Sequence, residues 1–121
     1  MIGHVDQLSI ALAEAGLEQA ETRRVDGHPF TFLVFRQVPV TVGRHRGLVL
    51  QHLALPIPDD AMLPPPGIHT QPHLGVIGER NVHASPLGAD WAYWSRPIQN
   101  FAPARGVPRI LSHINSIFRD A

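Results

Sequence analysis

Six of the chain's twelve prolines fall between residues 56 and 72, at Pro56, Pro58, Pro64, Pro65, Pro66 and Pro72. Proline locks φ, removes an amide hydrogen and pushes the residue before it out of the helical region. No helix can run through this segment, and regular structure is expected to be excluded over most of Leu55 to Pro72. The neighbours Ile57, Met62, Leu63 and Ile68 are apolar. A strap packed across a sheet fits that composition better than a linker between domains.

The strap divides two segments of different character. Upstream, Val5, Leu8, Leu12 and Ala15 recur at helical spacing, with Ile10 and Leu17 widening the stripe. A helix is expected from about Val5 to Ala20, with Asp6 suiting the positive end of its dipole. Asp26-Gly27 then signals a turn, and Phe30 to Arg36 is rich in β-formers. Pro39 restricts Val40 to Val42 to a short edge strand, and a glycine-bracketed turn (Gly43 to Gly47) leads into a strand from Leu48 to Leu55. Downstream, Leu74 to Asp90 reads as irregular loop, punctuated by Gly75, Gly78, Pro86 and Gly88. Val107, Ile110, Leu111, Ile114 and Phe118 form one apolar stripe, so a closing helix is expected there, with Pro108 in its first turn. The class is α+β, with an antiparallel meander of three or four strands in one domain spanning 1–121.

Composition removes several function classes. At 44% hydrophobic and 17% charged residues, the chain is too apolar for disorder. A net charge of +0 gives no electrostatic basis for binding nucleic acid or an acidic membrane surface. No charged N-terminal region precedes a long apolar run, and no stretch reaches the length of a membrane span, so a soluble cytoplasmic protein is expected. The chain has no cysteine, which excludes disulfides, thiolate metal sites and thioester chemistry. All ten basic residues are arginine, as a GC-rich coding bias produces.

The strap and the tryptophan segment carry a resemblance. Leu55-Pro56-Ile57-Pro58, Leu63-Pro64-Pro65-Pro66 and Ile68-His69-Thr70 resemble the proline-rich run after the third strand of ubiquitin-conjugating enzymes. Asp90-Trp91-Ala92-Tyr93-Trp94-Ser95-Arg96 is similar to the corresponding segment of the prokaryotic family E branch of that superfamily. The resemblance implies an N-terminal helix, a meander sheet, the strap, a long active-site-like loop and a C-terminal helix. It also implies a role in a bacterial ubiquitin-like conjugation pathway, with a ubiquitin-like protein and its activating enzyme as partners and no cofactor. One departure is large. Members with the usual chemistry keep a cysteine in the loop before the tryptophans, after a histidine-proline-asparagine motif. This chain has Pro72-His73 and no cysteine between His73 and Ser85.

That loop holds His73, Asn81, His83 and Ser85. A hydroxyl is not ionised at neutral pH, so a serine acyl carrier needs a base within hydrogen-bond reach. Ser85 is the candidate nucleophile, with His83 or His73 as its base and Asn81 able to steady an oxyanion. His83 and Ser85 are two apart, which puts both on one side of an extended chain. Trp91, Trp94 and Arg96 are the candidate partner-binding residues, although at least one tryptophan is expected to pack beneath the last helix. The same pathway role also admits a non-catalytic variant, and two other readings stand beside these. One is an adaptor of similar fold with no chemistry. The other is a small metal-binding domain using His69, His73 and His83, which Pro72 opposes because ligands four apart share a face only on a helix. No metal is expected. His52 alternates with Leu48, Leu50 and Ala54 and is expected to be a hydrogen-bonded core histidine rather than a ligand.

Overall fold

The computed structural model describes residues 4–59, 67–71, 82–95 and 106–120. Helix α1 spans His4–Glu14, and its apolar stripe turns Leu12 fully into the core while Ile10 stays 51% exposed. It is shorter than the expected Val5 to Ala20, and Gly16 supplies the reason. Gly16 adopts φ 103°, its amide donates to the Ala13 carbonyl, and the Leu17 amide donates to the Leu12 carbonyl at 3.0 Å. This is a Schellman cap, in which a left-handed glycine stops the helix and a following apolar residue packs back on it. Leu17 packs against the cluster that contains Leu12. The residues beyond the cap then enter a strand instead of a further helical turn.

The strands are β1 (Gln19–Arg24), β2 (Phe30–Pro39), β3 (Val49–Pro58), β4 (Gly67–Gln71), β5 (Val82–Ser85) and β6 (Gly88–Ser95), and α2 (Gly106–Asp120) closes the chain. They form one sheet in the order β1-β2-β3-β4-β6-β5, with antiparallel pairing throughout. The α+β class holds, but the sheet has six strands where three or four were expected. Val40 to Val42 forms no strand. The Val40 amide instead donates to the Leu48 carbonyl, and the Gly47 amide to the Val40 carbonyl, which closes the β2–β3 loop. Part of the expected irregular loop, Val82 to Ser85 and Gly88 to Asp90, is strand.

Strand β3 runs through Pro56 and Pro58, inside the segment where regular structure was expected to fail. Its pairing explains why. β2 faces β3 as far as Pro58, whereas β4 faces it only at His52, Leu53 and Ala54. Beyond Ala54 the strand has one partner among the described residues, and amides of alternate residues point to the same side. Two prolines at alternate positions therefore leave the ladder to β2 intact. Pro64, Pro65, Pro66 and Pro72, with the centre of the strap, lie outside the described residues.

Alternation gives the sheet two different faces. Leu33, Phe35, Leu53, Leu55, Ile57, Ile68, Ala92 and Trp94 join Leu12 of α1 and Ile110, Ile114, Ile117 and Phe118 of α2 in the main core. As expected, α2 buries its apolar stripe, with Leu111 packed half-buried at the margin. Inside this core the Trp94 indole N–H donates to Thr70 Oγ1 at 3.0 Å, which satisfies two polar groups that burial would otherwise penalise. Phe32, Val34, Ala54, Leu87 and Trp91 form a smaller cluster on the opposite face.

The β2–β3 loop is fitted against the end of α2. Gly43 has φ 80°, and a Cβ there would collide with the Phe118 carbonyl. Gly47 has φ 97° and open space around it, so it isolates the backbone cost alone. Gly43→Ala is expected to lose roughly 3 kcal/mol in urea unfolding against about 1 kcal/mol for Gly47→Ala, because only the first adds a backbone clash to the strain. Equal losses at the two positions would mean that the loop does not pack on α2.

Candidate functional site

The face turned away from the helices carries an unusual density of rings. Strand register aligns Ala54 of β3, His69 of β4, Tyr93 of β6 and His83 of β5 in one row across the sheet. His69 and Tyr93 stack with centroids 4.6 Å apart and planes at 17°. His83 lies on Tyr93 at 5.8 Å and 40°. The edge of Phe32 meets His69 at 5.1 Å and 84°. In the adjacent row, His52 Nδ1 lies 2.8 Å from Gln71 Oε1 and its ring stacks on Trp91. His52 is thus hydrogen-bonded as expected, but half-buried on this face rather than within the core.

Two serine–histidine pairs stand in this field. Ser85 Oγ lies 2.8 Å from His69 Nδ1, and Ser95 Oγ lies 2.8 Å from His83 Nε2. Ser85 is therefore paired with an imidazole, as the carrier reading requires, but with one the sequence argument assigned elsewhere. His83, expected as its base, engages Ser95 instead. His73 lies outside the described residues, as do Asn81 and Arg96. The missed residue is His69, which sequence reasoning weighed only as a metal ligand. The signal was the alternation in Gly67-Ile68-His69-Thr70-Gln71, which separates His69 and Gln71 from the helix-facing Ile68 and Thr70.

Local geometry holds the Ser85 hydroxyl. The β5–β6 register shifts between Ala84 and Ser85, so that Ser85 pairs with Gly88 at the hairpin end. The Leu87 amide donates to Ser85 Oγ at 3.1 Å, a serine turn that leaves the hydroxyl proton for His69. His69 is only 4% exposed, and burial, assisted by the nearby His28, lowers its pKa to about 4. It is neutral at physiological pH. With its proton on Nε2, Nδ1 accepts the Ser85 O–H, which is the arrangement of nucleophile and general base.

The remaining sequence candidates fall differently. Trp91 and Trp94 are three apart on a strand and so point to opposite faces, each 6% exposed and each inside one of the two apolar clusters. Trp94 packs beneath the last helix, as expected of at least one tryptophan, and Trp91 packs in the cluster on the opposite face. The metal reading joined His69 and His83, but these flank the Tyr93 ring, and one nitrogen of each faces a serine hydroxyl. Among the described residues no group of three or more histidines and carboxylates is placed to hold a metal ion.

No family model, curated protein or solved structure matches the chain. No helix among the described residues is long and apolar enough to cross a membrane.

The depressed His69 pKa makes stability pH-dependent. The folded protein leaves His69 neutral down to about pH 4, whereas the unfolded chain protonates it near its ordinary value of 6.5. Its contribution is present in full above 6.5 and is lost as pH falls from there to about 4. The loss across that window is about 3 kcal/mol at 1.36 kcal/mol per unit. Urea unfolding across this range should show the slope in the parent chain and a shallower one in His69→Gln. Parallel slopes would place His69 in a solvated setting.

Proposed function

We propose that this chain is a ubiquitin-conjugating-enzyme-like component of a bacterial ubiquitin-like conjugation pathway, and that it carries its acyl cargo as an oxyester on Ser85. The observation that carries the proposal is the 2.8 Å approach of Ser85 Oγ to His69 Nδ1 in a chain with no cysteine. The element order supports the fold reading: an N-terminal helix, an antiparallel run from β1 to β4, a tryptophan-bearing strand and a C-terminal helix. In the resemblance the reactive residue precedes the tryptophan segment, and Ser85 occupies that place, one hairpin turn before β6.

The chemistry follows from the pair. The activating enzyme presents the C-terminal acyl group of the ubiquitin-like protein as a thioester. Ser85 Oγ attacks the carbonyl carbon while His69 Nδ1 takes the hydroxyl proton. The carbon–sulfur bond breaks, and His69 returns the proton to the departing thiolate. The products are an oxyester on Ser85 and a free thiol, with no oxidant or reductant required.

One contact favours the adaptor of similar fold as a second reading. The Leu87 amide bonded to Ser85 Oγ gives that hydroxyl a structural role at the hairpin turn, independent of any reaction.

Incubation with activating enzyme, ATP and the ubiquitin-like protein decides between them. A mass adduct is expected that survives thiol reductants and yields to hydroxylamine. Ser85→Ala should abolish it while binding to the activating enzyme is retained. His69→Gln should slow its formation by about tenfold, below the usual contribution of a general base because burial lowers the His69 pKa to about 4. An adduct persisting in Ser85→Ala would move the nucleophile to Ser95. Absence of adduct beside a demonstrably charged activating enzyme would leave the adaptor.

A further inference from the structure

We propose that β5 is the docking edge for the acyl donor, whose extended C-terminal tail adds to the sheet as a strand parallel to β5 and delivers its terminal carbonyl to Ser85. The proposal rests on the carrier reading of Ser85 and specifies how its substrate is recognised.

The sheet has two outer strands, β1 and β5, and they are built differently. β1 carries Glu21, Arg23 and Arg24, and a register shift between Gln19 and Glu21. Arg24 is also tied to Asp59 on β3 at 2.7 Å. Both outer strands carry a register shift, so it is the charges on β1, a device that keeps a sheet edge from pairing with another chain, that set it apart. β5 reads Val82-His83-Ala84-Ser85, with no acid, arginine or proline. It pairs with β6 on one side, and among the described residues no strand lies on the other. His83 and Ala84 are exposed, and the small Ala84 leaves the strand's flank uncrowded.

An open edge of this kind takes an extended segment through main-chain hydrogen bonds, largely independently of its side chains. Direction then follows from the nucleophile. Ser85 is the last residue of β5, at the point where the register shifts and pairing ends. A tail running antiparallel to β5 would bring its amino-terminal end to Ser85. Only a tail running with β5, alongside Val82, His83 and Ala84 in turn, ends with its carboxyl-terminal carbonyl at Ser85 Oγ. Three residues of extended chain, about 10 Å, cover the distance. The docked substrate is therefore an extended peptide end, small at its last residue so that the carbonyl can reach the hydroxyl beside His69 and Leu87.

The test uses the full chain and a synthetic peptide, acetyl-Val-Thr-Val-Thr-Gly-Gly, in four forms. The forms are a C-terminal thioester, a non-transferable amide, and each of these with alternate backbone nitrogens methylated. Amide-resolved NMR with the non-transferable peptide should perturb residues 82–85 and leave β1 unchanged. A spin label at the peptide's amino terminus should broaden Val82 more than Ser85. Methylation should abolish these changes. With the thioester, the methylated peptide should acylate Ser85 about tenfold more slowly, as loss of one or two main-chain hydrogen bonds implies. Perturbation at β1 instead, a label gradient favouring Ser85, or no perturbation at all would overturn strand addition. Equal acylation by methylated peptide, unmethylated peptide and a bare glycine thioester would overturn it while leaving the carrier intact. Perturbation of β5 in the expected direction without any acylation would uphold the docking edge and sink the carrier.

Discussion

The pairing of the five-residue strand β4 with β3 on one side and β6 on the other holds the sheet together. β1, β2 and β3 form one antiparallel piece and β5 and β6 another, and among the described residues no other strand joins them. Gly67 to Thr70 are all buried, so β4 is enclosed on both faces as well as along both edges. Ile68 and Thr70 contribute to the helix-covered core, and Thr70 there receives the Trp94 indole. His69 points the other way, so its position is set by four neighbours at once: the two flanking strands, Phe32 and Tyr93. A side chain so enclosed has little freedom to leave its serine partner. The strand that unites the fold also supplies the histidine paired with Ser85.

How far the sequence revealed this depends on what each element buries. α2 has a single apolar stripe facing a single core, and helical periodicity exposes that pattern directly. α1 was legible in type but overlong, because the cap at Gly16 works through one backbone angle and leaves the apolar recurrence running on to Leu17. β1 carried no usable pattern: Gln19 to Arg24 is charged and largely exposed, and it is a strand because β2 offers it a ladder. β3 was cut short at Leu55 because proline was weighed without knowing which side of the strand was paired. In each case the missing information was tertiary.

The site was half legible for the same reason. Ser85 could be placed by its position before the tryptophan segment. Its histidine partner could not, since His69 lies on β4 and Ser85 on β5, with β6 between them in the sheet. Sequence proximity favoured His83, and the two-residue spacing does put His83 and Ser85 on one face. Register decides otherwise: His83 sits opposite Tyr93 and turns its Nε2 to Ser95, while the shift after Ala84 leaves Ser85 facing His69. A single irregular step in the hairpin thus accompanies the pairing of Ser85 with His69.

Burial has opposed effects on this pair, and their balance bears on the carrier role. Enclosure between Phe32 and Tyr93 fixes the imidazole and keeps it neutral, but lowering its pKa to about 4 also weakens it as a base. General-base catalysis is most effective when the pKa lies near the working pH, so Ser85 is activated modestly. A hydrolytic enzyme would lose by this, because the same base must activate water to clear the ester. A carrier gains from it. Its oxyester has to outlast the search for an acceptor, and a weak base that slows attack by water preserves the ester for an acceptor amine, which is a stronger nucleophile needing less assistance. On the carrier reading proposed above, the low basicity of His69 suits holding an acyl group rather than destroying it.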